Sequence, residues 1–207
     1  MTRTDSLSSD LAYVRDLAEA GQNAPLLGGR FLAWWGGLMT LAYVGHFLIS
    51  SGMLGVGPQT LWIWWAGMVG LGLAGQFLLQ ASIPAKPGAS SAGNQVQSTL
   101  WTCAGFVLFA YFVGVIARVA LFKDGWEGFN WSVPMVIGLY GLGQFVTGLI
   151  ARQPALRFAG TAALCGAAVA GALSGTDYVW LVGAGVAFIA VCVPGLAMLR
   201  NEPGTTV

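Results

Sequence analysis

Charge is what this chain has least of. Its 207 residues include 9 Lys and Arg and 8 Asp and Glu, 8% in all, where an ordinary soluble domain carries about 25%. With 56% hydrophobic residues, too little polar surface remains to keep a globule in solution. The net charge of +1 supplies no basic field, so nucleic acid is not a partner. Histidine is equally scarce. A single one, His46, precludes bis-histidine haem ligation within one chain. The three cysteines, Cys103, Cys165 and Cys192, fall inside apolar stretches, so they imply no disulfide framework. They lie toward the opposite helix ends from His46, which leaves no metal-ligand set. The chain has no phosphate-cradling GxxxxGK[ST] loop, no GxGxxG after a strand and no HExxH. No Asp or Glu lies well inside an apolar stretch, and ion-coupled carriers and intramembrane aspartyl enzymes depend on such carboxylates. These absences lead to an expectation of a non-enzymatic protein without cofactor or metal.

What the chain has is six long apolar runs, at residues 31–50, 60–80, 99–122, 131–151, 157–174 and 178–199. A bilayer core of ~30 Å is crossed by ~20 apolar helical residues, and each run is about that long. The expectation is an all-α membrane protein of six transmembrane helices. Residues 1–29 form an N-terminal segment, 30–200 the membrane domain and 201–207 a tail. The first apolar run is full span length and follows a polar segment, so it reads as a retained helix and not a cleaved leader. Compactness and the lack of a leader suit a multi-pass protein of the bacterial cytoplasmic (inner) membrane, with the lipid bilayer as its first partner.

Alternating the segments between two sides puts Arg3, Arg15, Arg30, Lys86, Arg152, Arg157 and Arg200 on the side of both termini. The other side has Lys123, with Arg118 just inside the span. The positive-inside rule then places both termini in the cytoplasm. Tryptophans agree with this count of spans: Trp34, Trp35 and Trp101 fall near one interface, and Trp62, Trp64, Trp65, Trp126, Trp131 and Trp180 near the other. Residues 83–97, rich in Pro, Gly, Ser and Ala, read as a flexible linker.

Residues 5–20 predict a short amphipathic helix, with Leu7, Leu11, Val14 and Leu17 on one face. Asp5, Asp10, Asp16 and Glu19 outnumber Arg3 and Arg15, and a helix meant to lie on anionic lipid would be basic. It packs on the bundle's own end, or it docks a second copy or a cytoplasmic partner.

The chain also resembles itself at an offset of 68 residues: Gly37 with Gly105, Ala42-Tyr43 with Ala110-Tyr111, and Gly75-Gln76-Phe77 with Gly143-Gln144-Phe145. The unit is two spans, so the bundle reads as three helical hairpins, the last diverged. Lipid tails are as apolar as leucine, and close helix approach therefore relies on small residues. The fifth span, with Ala159, Ala163, Ala167 and Gly171 every fourth residue, reads as a thin central helix. Pro194, deep in the sixth span, should kink it or release a carbonyl near Ala190.

Two sets of polar residues are candidate sites. Tyr43, Gln76, Tyr111, Tyr140, Gln144 and Thr147 either tie the hairpins together or line a weakly polar intramembrane cavity, because an amide in hydrocarbon must find partners. His46 and Arg118, with Asp124, Glu127 and Asp177, form a candidate outer vestibule where a neutral histidine titrates with external pH. Together they suggest a bundle that binds or passes a small neutral or weakly polar molecule. The alternative is a sensor, regulatory or assembly subunit acting on a partner through the N-terminal helix. The charge bias predicts that a green fluorescent protein fused after Val207 fluoresces. Alkaline phosphatase inserted after Gly55 should be active, and the reverse pattern would invert the topology.

Overall fold

In the computed structural model the described residues are 10–15, 25–81, 89–123 and 125–202. Asp124, Lys86 and most of the N-terminal helix, including Leu7, Leu17 and Asp5, lie outside them. Residues 10–15 are helical and exposed. No strand occurs among the described residues. Six helices are long and apolar enough to cross a membrane: α1 (Gly29–Ser50), α2 (Leu61–Gln80), α3 (Ala92–Phe122), α4 (Ser132–Ile150), α5 (Pro154–Ala172) and α6 (Tyr178–Leu199). The chain is therefore all-helical and has the makings of a multi-pass membrane protein.

Most ends fall within three residues of the apolar runs. The exception is α3, which starts at Ala92 and takes in the second part of the expected linker. Ser91 caps it by accepting the Asn94 amide N–H. The polar first turns are held because they bind backbone: Asn94 Oδ1 accepts the Leu27 N–H at 2.8 Å, and Nδ2 donates to the Pro25 carbonyl at 2.9 Å. Polarity alone marked this stretch as loop. The Asn94 side chain instead anchors the segment leading into α1.

The helices divide into a core and two edges. α1 packs along α6, α6 touches α5 and α4, and α4 packs along α5. The principal neighbour of α2 is α1, and that of α3 is α4. In the most apolar 18 residues of each helix, 50% are buried in α4 and 44% in α1, but 6% in α2 and none in α3. The edge helices present Phe77, Leu78, Phe106 and Phe109 outward, as surfaces facing hydrocarbon do. α5, expected at the centre, lies against α4 and α6 with Ala162, Leu164 and Val169 exposed. Its small residues serve two contacts, Gly160 against α4 and Gly166 against Val186 of α6, not contact all round.

Glycine sets both tight crossings. On α5, a Cβ at Gly160 would stand 2.5 Å from the Phe145 amide nitrogen of α4; opposite it, one at Gly141 would stand 2.9 Å from the Gly160 carbonyl. On α6, a Cβ at Gly195 would stand 2.3 Å from the Ala33 nitrogen, and on α1 one at Gly36 would stand 2.5 Å from the Cys192 nitrogen. With no hydrophobic drive between helices in lipid, dispersion at such backbone contacts does the holding. Gly70, by contrast, faces open space. Gly160→Leu and Gly195→Leu should each destabilise the bundle by about 1–3 kcal/mol, as overpacking does. Gly70→Leu should be neutral, and melting of the detergent-purified variants measures both.

Candidate functional site

Proline has no backbone N–H, so Pro194 leaves the carbonyl four residues earlier without its helical partner. That carbonyl belongs to Ala190, within a π-helical turn over Ala187–Cys192. Gln144, on α4 and buried, donates its Nε2–H to the Ala190 carbonyl. A side chain from another helix thus replaces the bond that proline removed. The other half of the amide, Gln144 Oε1, is buried with no hydrogen-bond partner.

Three further candidates lie in the same interior. Thr147 is buried and donates to the Gly143 carbonyl at 2.7 Å, within its own helix. Tyr140, one turn from Gln144, is buried with its ring centroid 5.5 Å from that of Trp101. Tyr43 is 1% exposed and clusters with Val133 and Ile137 of α4 and Trp180 of α6. Its hydroxyl is buried without a partner. Met39 packs against both the Tyr43 cluster and the neighbouring one that contains Tyr140.

Gln76 and Tyr111 are placed elsewhere. Gln76 Oε1 accepts the Trp35 indole N–H at 2.9 Å on the α1–α2 seam, and its Nε2 donates to Gln80 at 3.3 Å. Tyr111 donates to the Gly128 carbonyl at 2.6 Å. The repeated glycines Gly75 and Gly143 each lie under an indole, Trp34 and Trp101, but these rings are 67 residues apart and so fall out of the 68-residue register. The repeated tyrosines and glutamines have different surroundings.

Of the vestibule candidates, His46 is buried and stacked on Trp180, with centroids 3.5 Å apart and planes at 16°. Its Nδ1 accepts the Trp65 indole N–H at 2.9 Å, so the ring proton sits on Nε2. Asp177 is exposed at the start of α6, three residues before Trp180. Arg118 and Glu127 are exposed on α3 and on the short helix Trp126–Trp131. That side packs on α4, whereas His46 faces α2 and α6. Asp124 is outside the described residues. Among the described residues no three His, Cys, Asp or Glu side chains come together to hold a metal.

The sequence reading missed the four tryptophans that join α1 to α2. Trp34 donates to the Gly72 carbonyl at 3.2 Å, and Trp64 to the Ala42 carbonyl at 2.9 Å. Trp35 donates to Gln76, and Trp65 to His46. A Cβ at Gly75 would stand 2.2 Å from the Trp34 ring, and one at Gly45 2.1 Å from the Trp64 ring. Positions 34, 35, 42, 45 and 46 thus correspond to 64, 65, 72, 75 and 76, thirty residues on. The antiparallel pair has a pseudo-twofold axis across it. A self-comparison at that offset would have found it, because residues 34–48 and 64–78 share Trp, Trp, Gly, Leu, Gly, Phe and Leu at seven matched positions.

Two grooves open along this α1–α2 seam. One, of about 430 Å³, is lined by Arg30, Ala33, Trp34, Leu79 and Leu199. The other, of about 390 Å³, is lined by residues including Ile49, Thr60, Ile63, Trp64 and Met68. Tyr43, Tyr140, Gln144 and Thr147 line neither. Comparison with protein-family models, curated proteins and solved structures finds no match to this chain.

The Gln144–Ala190 bond and Pro194 should be coupled. Gln144→Leu leaves a buried carbonyl unsatisfied and should cost about 1–3 kcal/mol. In a Pro194→Ala background the helix supplies its own N–H, so the same substitution should cost much less. A double-mutant melting cycle measures the difference.

Proposed function

We propose that this chain is a non-enzymatic, multi-pass protein of a bacterial inner membrane whose bundle binds or passes a small, weakly polar molecule. Its six spans form three hairpins with both termini in the cytoplasm, as the charge bias indicates. One observation carries the reading. At the α1–α4–α6 interior, a hydroxyl donor on Tyr43 and a carbonyl acceptor on Gln144 are both buried without partners. Polar atoms in hydrocarbon are normally satisfied within the protein, and leaving one unbonded costs about 1–3 kcal/mol. A small neutral molecule entering that interior would find a donor at Tyr43 and an acceptor at Gln144. The π turn beside them supports the reading, because such turns mark places where a helix shifts its register at functional sites.

A second reading, a regulatory or assembly subunit working through the N-terminal helix, is favoured by one feature. Leu11 and Val14, on the apolar face of that helix, are 68% and 60% exposed, open to a cytoplasmic partner or a second copy. Solute flux into proteoliposomes, followed by stopped-flow light scattering with urea, glycerol and small amides, tests both readings. The first expects flux above protein-free vesicles, reduced at least tenfold in the folded variants Tyr43→Phe and Gln144→Met, and unchanged when residues 1–22 are deleted. Flux no faster than through lipid alone, or insensitive to both substitutions, overturns it.

A further inference from the structure

The two ends of the α1–α2 pair are built alike but are held by different acceptors. At the end where α1 begins, Trp35 donates to Gln76 Oε1; at the other, thirty residues on, Trp65 donates to His46 Nδ1, each at 2.9 Å. An indole N–H only donates. An amide oxygen accepts it at every pH, whereas an imidazole nitrogen accepts it only while it carries no proton. The pair therefore contains one bond that acid can remove, and at one end only. The neighbouring indole bonds, Trp34 to Gly72 and Trp64 to Ala42, go to carbonyls and do not titrate.

We propose that His46 is an acid-operated latch: a proton taken up at Nδ1 releases Trp65 and this end of α2, while the imidazolium stays on α6. With protons on both nitrogens the ring offers Trp65 a donor where it had an acceptor, and two donors 2.9 Å apart repel. What holds the charged ring is on its other side. It lies flat on Trp180, centroids 3.5 Å apart and planes at 16°, and indole is the best aromatic face for a cation. Asp177, at the start of α6, adds a carboxylate within electrostatic reach. α6 also brings the Tyr178 phenol, packed on Phe47, and α1 itself that of Tyr43, one turn back. α2 brings no ionisable group, since residues 61–80 include no Asp, Glu, Lys, Arg, His, Tyr or Cys.

α2 is the helix free to respond. In its most apolar 18 residues only 6% are buried, and its principal neighbour is α1. The indole bonds of Trp34, Trp35 and Trp64 remain and serve as the pivot. His46 is four residues from the end of α1, ~6 Å of helix, so water at that interface supplies the proton. Trp65 also stands edge-on to Tyr43, with centroids 5.8 Å apart. Its departure uncovers the buried Tyr43 hydroxyl, so that acid opens the interior to solute; this consequence rests on the reading of Tyr43 as a binding group.

The chain has one histidine, so the full-length protein made with ¹⁵N-labelled histidine and placed in nanodiscs reports the protonation of His46 alone. In a Cys103→Ala, Cys165→Ala, Cys192→Ala background, spin labels at Ile63→Cys and Leu181→Cys measure the α2–α6 distance at the latch. Labels at Phe77→Cys and Leu196→Cys measure it at the other end. As pH falls from about 7.5 to about 4, through the range where histidine takes up its proton, protonation and lengthening should run together at the first pair. The lengthening should be ~1–2 Å, the scale of helix shifts in switching proteins, and absent at the second pair. His46→Gln, which copies the bond made by Gln76, should keep the neutral distance throughout. Asp177→Asn, at an exposed position, should move both transitions to lower pH, and so serves where His46→Gln does not fold. Urea flux into proteoliposomes should rise at least threefold in acid for the unaltered chain and not for His46→Gln. Lengthening without flux at any pH supports the latch and overturns the reading of Tyr43. A ring that stays neutral to about pH 4, a ring that takes up its proton at constant distance, or lengthening that persists in His46→Gln overturns the latch.

Discussion

Inside hydrocarbon a released carbonyl has no water to turn to, so every break in a helix must be answered by another part of the chain. Pro194 makes such a break in α6. The answer comes from α4, through the Gln144 amide. That one bond fixes the depth of α4 relative to α6. The glycine contacts then fix their partners in turn: Gly195 brings α6 onto α1, and Gly141 with Gly160 brings α4 onto α5. The core four helices hang together from these contacts, and the Arg30–Glu202 ion pair adds a tie between the start of α1 and the residue beyond the end of α6.

The edge helices follow a different rule. α2 is joined to its neighbour by indoles that serve two purposes at once, donating a hydrogen bond and filling the space above a glycine. A tryptophan needs a partner for its N–H when it is removed from water, and a backbone carbonyl within reach exists only where the facing helix has no side chain in the way. Trp34 with Gly72 and Gly75, and Trp64 with Gly45, are therefore single structural units, not separate contacts. α3 lacks such a set, apart from Trp101 over Gly143, and its most apolar stretch is the least buried of the six.

Span number and span limits were legible because twenty apolar residues in a row have few other uses. The release of the Ala190 carbonyl was legible as well, since proline's missing N–H is a local fact. What answered it was not: Gln144 and Gln76 look alike in the sequence, each in a Gly-Gln-Phe triplet, yet one is interior and the other lies on a seam. Periodicity tells which residues share a face, and in lipid both the buried and the outward faces are apolar. Hydropathy makes the helical turns at Ala92–Gln97 look like linker, because the signal for a span is apolar and Asn94 binds backbone through polarity. The central place expected for α5 failed for a related reason. Small residues show that something comes close, not on how many sides.

The thirty-residue correspondence between α1 and α2 makes the pair nearly indifferent to being turned end for end. Two antiparallel helices that clasp each other by the same indole positions offer the same tryptophan and glycine contacts toward either end. The clasp itself therefore carries no sidedness. What distinguishes its two ends is a difference such as Arg30 against Thr60, and a basic residue at one end only is the kind of difference on which the positive-inside rule acts.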